Sequence, residues 1–91
     1  MAPQAVVKPE DLRRFAAELN QFNKDLRERM VQLQAHFKSL GDTWRDQEHE
    51  KFGQEFEQTM RVLQHFTSSA EEQVPFLLRK AERVEDYLQQ R

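Results

Sequence analysis

The chain has 91 residues, a net charge of −2, and 33% charged against 37% hydrophobic residues, with a mean hydropathy of −0.95. That length argues for one domain with a thin core. The absence of Cys rules out a disulfide scaffold, a thiolate zinc site and a thiol nucleophile, and the near-balanced charge gives no strong field for nucleic acid or an anionic membrane.

Eleven Gln, eleven Glu, nine Leu and nine Arg, with only 2 Gly and 3 Pro, favour long helices, because unbranched side chains lose little rotamer freedom there. Residues 1–8 read as a flexible leader. They lack the apolar h-region of a secretory signal peptide, so any export is expected by a route without a cleaved signal. No stretch of about 18 apolar residues is present to span a bilayer. Pro9 suits the first position of a helix, where its missing N–H costs nothing. Glu10 and Asp11 then place negative charge at the positive end of the helix dipole. Large apolar residues recur at Leu12, Phe15, Leu19, Phe22, Leu26, Met30, Leu33, Phe37 and Leu40, in steps of three and four. The spacing predicts one helix over about 9–40, roughly 48 Å long.

Gly41 ends this stripe and predicts a left-handed helix cap. Thr43 and Asp46 have the spacing of a capping box, which predicts a very short turn over 41–43 and a second, antiparallel helix over about 44–90. Its stripe reads Phe52, Phe56, Met60, Leu63, Phe66, Ala70, Val74, Leu77, Ala81, Val84 and Leu88. Thr67-Ser68-Ser69 and Pro75 interrupt it, so the second helix is expected to kink or break near 67–75, the kink being preferred.

Seven Phe and one Trp are too many to leave in water, since burying one Phe stabilises by roughly 1.5–3 kcal/mol. A lone hairpin covers a single seam. The expected all-α architecture is therefore a long antiparallel helical hairpin that dimerises into a four-helix bundle. Its core or dimer seam is Leu12, Phe15, Leu19, Phe22, Leu26, Leu33, Phe37, Phe52, Phe56, Leu63 and Phe66. The rival is a three-helix monomer in which the segment from Pro75 folds back. His36, His49 and His65 are scattered, and Asp46-x-x-His49 reads as a solvated helix start rather than a metal ligand pair. No Gly-rich phosphate loop or nucleophile elbow is present. No enzyme activity, metal or cofactor is expected. Trp44, in the turn, reads as a plug sealing the hairpin or as an anchor for a partner.

Trp44 four residues after Leu40, with Phe52 and Phe56 eight and twelve beyond it, resembles the W-x-G family of small helical-hairpin proteins, the early-secreted-antigen-like substrates of bacterial type VII secretion. The opening Val7-Lys8-Pro9-Glu10-Asp11-Leu12 is similar to that family's entry into its first helix. The resemblance implies a non-enzymatic, ESX-like secretion substrate or partner subunit, secreted without a cleaved signal peptide. It implies a homodimer, or a heterodimer with a sister hairpin, that presents its turn (Gly41, Thr43, Trp44, Asp46) and its tail to an export ATPase or co-exported effector. Two positions depart from the family pattern. Asp46 stands where the family has Gly, and Tyr87 is followed at the fourth position by Arg91, where the family's export tail has an acid. The second departure keeps open a different class of function: a cytoplasmic adaptor or chaperone-like protein that holds a partner's helix.

Overall fold

The computed structural model describes residues 7–90; most of the leader and Arg91 lie outside them. Helix α1 spans Pro9–Leu40 and helix α2 spans Gln47–Gln89. They lie antiparallel as a hairpin of 69 × 24 × 15 Å, and no strand occurs among the described residues. Pro9 opens α1 with Glu10 and Asp11 in its first turn and Lys38 in its last, each charge facing the favourable end of the helix dipole.

The connection differs from its expected form in two respects. Gly41 is right-handed, at φ −63° and ψ −15°. No left-handed residue is needed, because successive tight turns carry the chain out of α1: the N–H groups of Gly41, Asp42 and Thr43 donate to the carbonyls of Lys38, Ser39 and Leu40 at 3.0–3.2 Å. Nor is Thr43 the N-cap of α2. Its hydroxyl turns back to the Leu40 carbonyl at 3.5 Å. Asp46, in extended backbone, caps α2 instead, accepting the His49 N–H at 3.1 Å.

Helix α2 continues through Thr67-Ser68-Ser69 and Pro75; the described residues contain no third helix and no fold-back. Thr67 is buried, and its hydroxyl donates to the Gln64 carbonyl at 2.9 Å. Packing of that turn against α1 overrides weak local propensity. Pro75 and Glu71 are both exposed, so the N–H donor that the Glu71 carbonyl loses at Pro75 is lost at the surface of the hairpin rather than in its seam.

The seam between the helices follows a 3.5-residue rhythm. From α1 it takes Leu12, Ala16, Leu19, Asn23, Leu26, Met30 and Phe37; from α2 it takes Phe56, Met60, Leu63, Thr67, Ala70, Val74, Leu77, Ala81, Val84 and Leu88, all buried or half-buried. Phe15, Phe22, Leu33, Phe52 and Phe66, in the same sequence stripes, are instead exposed. Phe15 and Phe22 on α1 and Phe52 and Phe66 on α2 thus form outward rows, whereas Leu33 shares the seven-residue row of Leu12, Leu19 and Leu26 and is exposed within it.

Candidate partner-binding surface

At the tip, α1 delivers Phe37, the connection delivers Trp44, and the first turns of α2 deliver His49, Phe52 and Phe56. Phe37 is the hub. Its ring stacks on His49 at 5.1 Å and 10°, and lies 5.0 Å from Phe56 and 5.7 Å from Phe52. Trp44 meets His49 edge-on at 5.1 Å and Phe52 at 5.8 Å. Gly53 makes room for the hub, since a Cβ there would stand 3.2 Å from Phe37 Cζ. One oxygen organises the turn: Asp46 Oδ1 accepts both Trp44 Nε1–H at 2.9 Å and the backbone N–H of His49 at 3.1 Å. Trp44 is thus half-buried and oriented, with one side beside a shallow groove lined by Glu48, Lys51, Phe52 and Glu55.

His49 is not the solvated histidine expected from its place near a helix start. Its ring is packed among aromatics, and Nε2 is buried without a hydrogen-bond partner. Asp46 is occupied in capping, and no group of three His, Cys, Asp or Glu among the described residues is placed to hold a metal. His36 and His65 are exposed.

The two long sides of the hairpin differ. On one side, charge closes the seam. Arg13 makes a two-pronged contact with Glu85, its Nη1 and Nη2 donating at 3.0 and 2.9 Å. Arg27 pairs with Glu71. The hydrogen bonds from Arg13 hold the Glu85 carboxyl below its ordinary pKa, with the guanidinium charge adding to the effect. Arg13 is raised in turn, first by its hydrogen bond to Glu85. On the other side the flanking positions are aromatic. Phe22 of α1 meets Phe66 of α2 edge to face, centroids 6.2 Å apart, yet the two remain 55% and 43% exposed. Phe15, Phe52 and Tyr87 fall on this same side by their steps of seven or its multiples from Phe22 and Phe66. Large aromatic surface on this side is thus left to water.

The expected seam residues thus separate. Leu12, Leu19, Leu26, Phe37, Phe56 and Leu63 are half-buried between the two helices, whereas Phe15, Phe22, Leu33, Phe52 and Phe66 are exposed. An apolar count alone passes over Asn23, Thr67, Gly53 and His49. The signal that finds Asn23 and Thr67 is the step of seven that links Ala16, Asn23, Met30 and Phe37 on α1, and Met60, Thr67, Val74 and Ala81 on α2.

A two-helix body with a Trp-bearing tip and an open aromatic side is matched by one family model, described as proteins of 100 residues with WXG, over residues 4–89. The chain belongs to the WXG100 family. Comparison with curated proteins and with solved structures finds no match. WXG100 proteins are small, non-catalytic helical proteins associated with type VII secretion, and they typically pair as dimers. In this WXG100 protein the Gly of the motif is replaced by Asp46, and the geometry explains how the turn keeps its form: the carboxylate caps α2 and ties down the indole. No described helix is long and apolar enough to cross a membrane. Tyr87 is exposed near the end of α2, while Arg91, the other residue of the expected export tail, lies outside the described residues.

Proposed function

We propose that this protein is a substrate or partner subunit of a type VII-like secretion system, working as one half of a paired helical package. The family match along nearly the whole chain carries this reading. The open side of the hairpin supports it, because a face bearing Phe15, Phe22 and Phe66 suits a partner hairpin better than it suits water. In this role the protein acts as a folded adaptor: its aromatic side holds the partner, and its Trp44 tip and Tyr87 tail are presented to an export ATPase or co-exported effector. Immunoblotting of cell and medium fractions, with and without the system's ATPase, tests the proposal. ATPase-dependent appearance of the full chain in the medium is expected. Full-length protein confined to the cytosol in cells whose system exports other substrates overturns it, in favour of a cytoplasmic adaptor that binds a partner helix. Arg91, basic where the family tail is acidic, favours that second reading. Deleting residues 87–91 removes only Leu88 from the seam, so it leaves folding largely intact in either case and abolishes export only if the tail is the signal.

A further inference from the structure

The turn holds Trp44 in a way that limits what its ring can offer a partner. Its one polar group, Nε1–H, already donates to Asp46 Oδ1 at 2.9 Å, so what the indole presents outward is its π face rather than a hydrogen-bond donor. The ring lies 5.8 Å from Phe52, tilted by 39°, and beside the two runs a shallow groove of about 470 Å³. Glu48, Lys51 and Glu55 supply the charges of that groove. Trp44, Glu48, Phe52 and Glu55 follow one another in steps of four, four and three, so aromatic and acidic groups alternate along it. Glu48 and Glu55 stand two helical turns, about 10 Å, apart. Both are exposed and make no ion pair within the described residues. Lys51 lies between them, three after Glu48 and four before Glu55, and can offset only one of the two carboxylates. The groove thus joins aromatic faces to a net negative charge.

We infer that this groove receives an arginine-bearing segment of a partner protein, with the guanidinium laid against the Trp44 and Phe52 rings and paired with Glu48 or Glu55. The inference rests on the proposed function only in that the tip is presented to a partner. A flat cation suits both halves of the groove. Its face is attracted by the ring quadrupole, and its N–H edge fits a carboxylate in two-pronged fashion. A lysine ammonium offers the charge without the planar face. Phosphates of nucleic acid or anionic lipid would meet Glu48 and Glu55 as like charges. An acidic segment finds only Lys51 to pair with, and a purely apolar one would cover both carboxylates without a counter-charge. Asp46, standing where the family has Gly, adds a third carboxylate against the indole edge. Its neighbour Arg45 is exposed and does not line the groove. The preference for a cation therefore belongs to this chain's own tip, and the surface that meets it is basic rather than simply hydrophobic.

Trp44 is the only Trp, so its indole N–H resonance reports on the groove directly. The full chain is titrated with a blocked, alanine-rich helical peptide carrying two arginines seven residues apart, the spacing of Glu48 and Glu55. The same peptide with citrulline, lysine, glutamate or leucine at those two positions is titrated in parallel. The arginine peptide is expected to shift the indole resonance saturably. Its Kd should be lower by about tenfold or more than that of the citrulline peptide, which keeps the planar shape without the charge, with the lysine peptide between them. The double variant Glu48→Gln, Glu55→Gln should raise the Kd for the arginine peptide by a similar factor, while circular dichroism shows unchanged helix content and the free indole resonance keeps its position. Equal binding of the arginine and citrulline peptides, preference for the glutamate or leucine peptide, full affinity in the double variant, or an indole resonance that responds to no peptide each overturns the inference. The secretion assay reads separately. A chain that binds arginine at its tip yet stays in the cytosol fails the proposed function alone, and an exported chain whose tip ignores arginine fails this inference alone.

Discussion

Asp46 shows how one side chain can hold a turn that the family builds with glycine. Its Oδ1 shares the His49 N–H of the first turn of α2 with the Asp46 carbonyl and fixes the Trp44 indole. Asp46→Gly restores the family letter but removes both bonds. Glycine is itself a tolerable N-cap, so the expected loss is about 1 kcal/mol rather than collapse, seen as a lower Tm together with a changed Trp44 emission; a raised Tm contradicts the double role. Gly41 presents the converse case. Because its φ is −63°, Gly41→Ala meets no left-handed penalty. Its added Cβ lies 3.2 Å from the Lys38 carbonyl and 3.6 Å from the His49 ring. Thermal unfolding should place this variant within about 1 kcal/mol of the parent, the usual size for an Ala-for-Gly change at a compatible site. Glu85 carries the pH dependence of the open end. Its folded pKa is lowered, first by the Arg13 hydrogen bonds. Its contribution is therefore present above the unfolded pKa of about 4.3 and is lost as pH falls through the lower folded value. NMR titration of the Glu85 carboxyl should show that depressed midpoint. Arg13→Gln should return it to the ordinary carboxylate range.

At the scale of the element, the ends of α1 and the all-helical character follow from composition, from Pro9 with its acidic neighbours, and from the stop at Gly41. Which of the interleaved apolar rows packs inward does not follow, because Phe15 and Phe22 are as apolar as Leu12 and Leu19. The row that wins contains the residues an apolar count rejects. Asn23 is buried, with its Nδ2 donating to the Thr67 carbonyl at 2.9 Å while its Oδ1 has no partner. A polar layer inside a seam is costly to misalign, since any slip leaves the amide unpaired, and such residues specify register at some expense of stability. The tip cluster was hidden for a different reason: the contact between His49 and Phe37 depends on the second helix starting at Gln47. The continuity of α2 through Pro75 likewise comes from packing, not from local preference. Pro75→Ala returns the missing N–H to Glu71 on an exposed face. It should therefore stabilise the hairpin by up to about 3 kcal/mol in urea unfolding, with helical chemical shifts from Ser69 to Val74 unchanged. New helical shifts in that stretch would mean that the chain in solution breaks there.

The molecule as a whole is one layer of two helices, 15 Å at its thinnest, and that dimension determines what a single hairpin can bury. Only small or slender apolar side chains are buried, namely Ala16, Met30, Met60, Ala70 and Ala81 among the described hydrophobic residues outside Pro9. Every Phe stays at least partly open. Two substitutions of the same chemistry should therefore fail differently. Leu63 is half-buried in the row that faces α1. Leu63→Glu places an unpaired charge between the helices and should unfold the hairpin itself, costing several kcal/mol and lowering helix content at any protein concentration. Phe22 is 55% exposed, so Phe22→Glu costs the isolated hairpin little beyond its edge contact with Phe66. In a dimer joined on the aromatic side the same carboxylate is trapped in the joint between the copies. The expected loss of association is about 2 kcal/mol or more, the scale of an interface hot spot. Light scattering after gel filtration, read beside circular dichroism, separates the outcomes. Phe22→Glu should give a folded monomer of about the 11.0 kDa chain mass, whereas Leu63→Glu should lose helix and dimer together. A folded Phe22→Glu dimer of undiminished affinity would exclude the aromatic side as the joint between copies.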